Sequence, residues 1–73
     1  MDRLPTFDPR ALFAARVVRG LSRAALAEIS GVSDETIRRA EIGRFAPRSG
    51  TLILLAKALN ISPLALNTEE RAA

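Results

Sequence analysis

From Asp8 onward the apolar residues recur at helical spacing, and no stretch alternates with the period of a strand. This pattern predicts five short helices and no sheet. Asp8-Pro9 opens the first, because the carboxylate caps and proline suits a first turn that needs no amide. That helix runs to about Arg19 and ends at Gly20, with Leu12, Ala15, Arg16 and Arg19 on one stripe. Ser22 starts a second helix over about 22–29. Gly31 supplies the residue able to take positive φ where it stops. Ser33 then caps a third helix over 34–42, whose opening Asp34 and Glu35 favour the positive end of the helix dipole. Glycine and proline mark 43–50 as a loop. A fourth helix is expected over 51–59, capped by Thr51 or Ser49 and stopped at Asn60, and Ser62-Pro63 opens a short fifth. Residues 1–7 are expected to form a loose arm, 8–67 the folded domain and 68–73 a frayed tail.

The predicted core comprises Leu12, Leu21, Leu26, Ala27, Ile29, Val32, Ile37, Leu52, Leu55, Ala56, Leu59 and Ile61. At roughly 1.5–3 kcal/mol for each fully buried large side chain, such a core offsets the ordering entropy only narrowly. The pair formed by the second and third helices is too small to fold alone and needs the rest as scaffold.

Composition narrows the chemistry. The chain has no cysteine and no histidine, which removes disulfides, thiolate sites, the commonest zinc ligand and the commonest general base. Neither a metal nor a cofactor is expected, and no catalytic residue is assigned. The apolar run Leu52 to Ala56 is far too short to span a membrane, and the first residues lack the pattern of a signal peptide, so a cytoplasmic location is expected. The net charge is +3, and all the cations but Lys57 are arginine. That preference suits oxyanion recognition, because the guanidinium fork stays charged and binds bidentately; it would also follow from a GC-rich genome.

The set Leu21-Ser22, Leu26-Ala27, Gly31-Val32-Ser33, Thr36-Ile37, Glu41, Gly43, Pro47, Thr51-Leu52, Leu55-Ala56 and Leu59 closely resembles the Cro/phage-repressor (XRE) family of helix-turn-helix DNA-binding domains. The likeness covers about residues 10–67. It implies an all-α, compact five-helix lambda-repressor-like domain with the motif at the second and third helices. In such domains the third helix enters the major groove while the second crosses the phosphate backbone.

Carried over to this chain, the resemblance puts base contacts on Asp34, Glu35, Arg38 and Arg39, and phosphate contacts on Arg23, Ser33, Thr36, Arg44 and Arg48. Arg16 and Glu41 match a charged pair that forms a buried bridge between the first and third helices in several phage repressors. Helical geometry agrees in outline: Ile37, Ala40 and Glu41 face inward, while Asp34, Glu35, Arg38 and Arg39 point outward. The two acidic residues depart from the family pattern. They accept from a cytosine amino group or only stabilise the helix start, and they repel phosphate either way.

Apolar residues off the core stripe mark a second departure. Phe13, Leu54, Leu64 and Leu66 are candidates for a dimer or partner surface, whereas Val17 and Leu64 would complete the core on the simpler reading. The function implied is sequence-specific binding of double-stranded DNA by a small prokaryotic or phage-type transcriptional regulator, as a homodimer or with a protein partner. Two alternatives keep the fold: an antitoxin whose apolar surface holds a toxin, and a protein-interaction module that no longer binds DNA.

Overall fold

Three polar side chains begin the first three helices of the computed structural model, which describes residues 6–68. An Asp8 carboxylate oxygen accepts from the Arg10 amide at 3.0 Å ahead of α1 (Pro9–Val18). Ser22 Oγ accepts from the Ala25 amide at 3.0 Å ahead of α2 (Arg23–Ser30). Ser33 Oγ accepts from the Thr36 amide at 3.1 Å ahead of α3 (Asp34–Glu41). Each bond satisfies an amide that the helix itself leaves free, and losing one such cap costs about 1 kcal/mol. Between α2 and α3 the backbone turns at Gly31, whose φ of 80° a side chain would strain.

The fourth helix, α4 (Ser49–Leu59), starts earlier than the pattern predicts, and neither Thr51 nor Ser49 caps it. Arg48 occupies the cap position without a side-chain bond, directly after the buried Pro47. Its stability comes instead from Leu55, Ala56 and Leu59, all buried. Asn60 closes the helix with φ 59° and ψ 44°, a left-handed conformation that asparagine tolerates better than most residues.

There are four α-helices in the described residues, not five. The expected fifth is a single 3-10 turn over Pro63–Leu66, with Ser62 Oγ accepting from the Leu64 amide at 3.2 Å. The chain cannot continue as helix there because Asn67–Thr68 is extended and forms a strand, β2, antiparallel to β1 (Thr6–Phe7). Thr6 pairs with Thr68 and Phe7 with Asn67, so the expectation of no sheet is corrected. A two-residue strand has no room to show alternation, which is why the pattern missed it. The end of the predicted arm and the first residue of the predicted tail are therefore paired. The remaining residues of both, 1–5 and 69–73, lie outside the described residues.

Leu12, Leu26, Val32, Ile37, Ala40, Leu55, Ala56, Leu59 and Leu66 form the core, and Phe7, Leu21, Ala27, Leu52 and Ile61 pack against it. Two expectations fail in opposite directions. Ile29, expected inside, is 58% exposed on the far face of α2. Leu66, expected on a dimer or partner surface, is 0% exposed. The 3-10 turn rotates Leu66 inward, and its carbonyl accepts from the Asp8 amide at 2.8 Å, tying the end of the domain to the start of α1. Among the described residues no helix is long and apolar enough to cross a membrane.

Leu66→Ala should therefore lower stability by about 2–5 kcal/mol, the cost of a large-to-small change in a packed core. Leu64→Ala, two residues away and 66% exposed, should move it little. Denaturant titration of both variants checks the contrast.

Candidate functional site

α3 packs against α1 and α2, and its apolar contribution is narrow: only Ile37 and Ala40 are buried. Every other position of the helix is available for a different purpose. The outward face presents Asp34, Glu35, Arg38 and Arg39, with Arg23 from the start of α2 beside it. The acidic residues occupy the first turn and the two arginines the last, so each sign lies at the helix end whose dipole favours it.

These charges are organised into pairs. Arg38 Nε donates to one Glu35 oxygen at 3.1 Å and Arg38 Nη2 to the other at 2.9 Å, a bidentate contact one turn apart on the helix. Arg23 Nε lies 3.5 Å from an Asp34 oxygen, joining the start of α2 to the start of α3. The hydrogen bond from Arg38, helped by the nearby Arg39 and Arg23 charges, holds the Glu35 carboxyl below the usual glutamate range. Because the shift is downward, the pair persists as pH falls and is lost only below that range. The same bond pushes the Arg38 guanidinium up, so its charge is permanent. Among the described residues, Arg39, Arg44 and Arg48 make no ion pair.

A deeper pair holds this face in place. Arg16, on α1, donates from Nε to one Glu41 oxygen at 2.6 Å and from Nη2 to the other at 3.0 Å. Its Nη1 donates to the Leu21 carbonyl at 2.8 Å. The side chains are 12% and 7% exposed, so little water competes for these bonds. The Phe13 ring flanks the guanidinium, with its centroid 5.4 Å away. Glu41 raises the Arg16 pKa by accepting its hydrogen bond, and this outweighs the opposing effect of burial.

The remaining residues singled out in the sequence fall as follows. Ser33 and Thr36 bond to each other, with Ser33 Oγ donating to Thr36 Oγ1 at 2.8 Å. Arg44 and Arg48 are exposed in the loop after α3, and the Arg44 amide donates to the Arg39 carbonyl at 2.9 Å. Phe13, Leu54 and Leu64 are exposed, as is Val17, so neither Val17 nor Leu64 completes the core. Leu66 leaves the surface set altogether because it is buried. Sequence reading missed the Glu35–Arg38 and Phe13–Arg16 contacts, although the three-residue spacing of both was a usable signal. The Arg23–Asp34 contact had no such signal.

A family model described as Helix-turn-helix matches residues 12–66. The restriction-modification controller protein C.AhdI from Aeromonas hydrophila is 31% identical, with a TM-score of 0.77 over 80% of this chain and 88% of its own. The P22 c2 repressor protein, solved in complex with a synthetic operator, is 31% identical, with a TM-score of 0.77 over 85% of this chain and 94% of its own. The clp gene regulator ClgR from C. glutamicum is also 31% identical, with a TM-score of 0.73 over 80% of this chain and 75% of its own. No curated protein sequence matches the chain.

Removing one partner of the Arg16–Glu41 pair leaves the other charge enclosed without compensation. Glu41→Ala and Arg16→Ala should each destabilise the fold by about 3 kcal/mol, the lower end of the range for a broken buried pair. The double variant should cost clearly less than the sum of the two. A double-mutant cycle by denaturant unfolding checks this.

Proposed function

The chain belongs to the helix-turn-helix family and is a DNA-binding transcriptional regulator, and from that premise we propose that it reads a specific duplex site with α3 in the major groove. The observation that carries this reading is the outward face of α3, where Glu35, Arg38 and Arg39 are exposed or half-exposed and none of the described residues covers them. A helix fits that groove, and its side chains then reach base edges. The mechanism is occupancy of the site, with no bond made or broken.

Within this arrangement Arg39, unpaired among the described residues, is the free cation best placed to donate both fork hydrogens to guanine O6 and N7. Arg38 reads beside it. Arg23, Thr36, Arg44 and Arg48 serve the phosphates, and Ser33, whose hydroxyl hydrogen goes to Thr36 Oγ1, orients the Thr36 hydroxyl that donates to one. Arg23 does so at the start of α2, where the helix amides and a cation act together on an anion. Arg44 and Arg48 do so from the loop, which carries no other charge. Asp34 serves as the internal partner of Arg23 at 3.5 Å, and this supports a positioning role over a base contact. Two copies reading two half-sites complete the proposal, and the exposed Leu54 and Leu64 supply apolar surface for a homodimer.

Binding to random duplex should be measurable at low salt and weaken steeply as salt rises, through release of condensed counterions. Arg23→Ala should weaken all duplexes alike and flatten the salt slope by about one. Arg39→Ala should instead cost about 1–3 kcal/mol on a site selected from a random library and far less on random duplex. Fluorescence anisotropy over a salt series distinguishes them, and absence of binding at the lowest salt would overturn the reading. Light scattering of the free and DNA-bound protein tests the dimer.

A further inference from the structure

The guanidinium of Arg38 has two usable forks, and the structure shows which one is spent. Nε and Nη2 each give one hydrogen to Glu35, at 3.1 and 2.9 Å. Three hydrogens remain, two on Nη1 and one on Nη2. The facing pair among them forms the end-on fork, parallel and coplanar, with the spacing that guanine O6 and N7 accept. The carboxylate that takes the side-on fork also sets the plane of the group. Arg38 is thus held in one orientation instead of sweeping over the surface with the freedom of an ordinary arginine.

The pair has a second property. It carries no net charge, and Arg38 supplies no counterion release while it lasts. A phosphate offers acceptors only, so it can use the free fork but meets the Glu35 carboxylate beside it and is repelled. A guanine edge has no such charge. Its cytosine partner also offers an amino hydrogen, which a lone pair left on Glu35 can accept. The pair therefore penalises the backbone and tolerates or rewards a base edge.

We propose that Glu35 is a positioning residue for specificity, clamping Arg38 by its side-on fork so that the end-on fork addresses guanine and is withheld from phosphate. The inference rests on the reading that α3 enters the major groove, and it gives the acidic start of that helix a purpose beyond helix capping. Arg23–Asp34 is a looser contact, with a nearest approach of 3.5 Å from Nε, and leaves the end-on fork of Arg23 open for the backbone.

The test compares Glu35→Gln, Arg38→Ala, the double variant and Asp34→Asn on a duplex selected by the wild-type chain and on random duplex, with folding monitored by circular dichroism. Glu35→Gln should tighten binding to random duplex and steepen its salt slope by about one, because Arg38 is released to phosphate. The same variant should weaken the selected site, so the ratio of the two affinities falls by about tenfold or more. On the selected site the double variant should be no weaker than Arg38→Ala alone, and replacing the contacted guanine by 7-deazaguanine should remove the effect of Glu35→Gln. Asp34→Asn changes charge by the same amount one residue away and should tighten both duplexes alike. If Glu35→Gln also tightens both alike, Glu35 is only a negative charge and the proposal is overturned. It is equally overturned if Glu35→Gln and Arg38→Ala add on the selected site. Failure of the wild-type chain to select any site would instead remove the major-groove reading, and this inference with it.

Discussion

Arg16 is the point where three parts of the chain meet. It leaves α1, grips both oxygens of Glu41 at the end of α3, and donates to the Leu21 carbonyl in the connection that leads into α2. A helix with only two buried residues has little apolar surface with which to choose its own angle. The bidentate bond supplies what packing cannot, because a planar fork accepts few orientations of a carboxylate. Phe13 covers one side of that fork, so the exposed aromatic of α1 is engaged by the pair even though half its surface faces water. If the angle of α3 were free, the outward residues would address no particular surface.

Charge in this molecule is therefore layered. The innermost pair, Arg16 with Glu41, is nearly enclosed and serves the fold. The outer pairs, Arg38 with Glu35 and Arg23 with Asp34, are open to solvent. Pairs of the second kind contribute little to stability, but they occupy some arginine hydrogens and leave others free. The same amino-acid types thus serve the fold in one layer and, in the function proposed above, recognition in the next.

Closure of the domain depends on a feature of small extent. The β1–β2 ladder and the bond from the Asp8 amide to the Leu66 carbonyl join the two ends of the described chain. Leu66 and Phe7, both part of that junction, carry their side chains into the core, one buried and the other partly so. For a chain of this size each such residue is a sizeable part of the core, which explains why a 3-10 turn of four residues matters.

How much was legible before the fold was known follows the range of each interaction. Caps act over two or three residues, so Asp8, Ser22 and Ser33 announced the starts of α1, α2 and α3, as Gly31 and Asn60 announced the stops. The helical period placed Leu12, Leu26, Ile37, Leu55 and Leu59 inside, because a stripe on a helix has one way to leave water. Where α4 starts, which way Leu66 turns, that Ile29 stays outside and that Asn67–Thr68 finds Thr6–Phe7 were all decided by tertiary structure. The partners of the candidate site divide in the same way: Glu35 and Arg38 are one helical turn apart and readable in the sequence, whereas Arg23 meets Asp34 only because α2 and α3 cross at one angle. A contact between residues far apart in the chain leaves no mark on the local pattern: the Arg16–Glu41 pair was legible only through the family resemblance, and Arg23–Asp34 only once the folded backbone brought the two together.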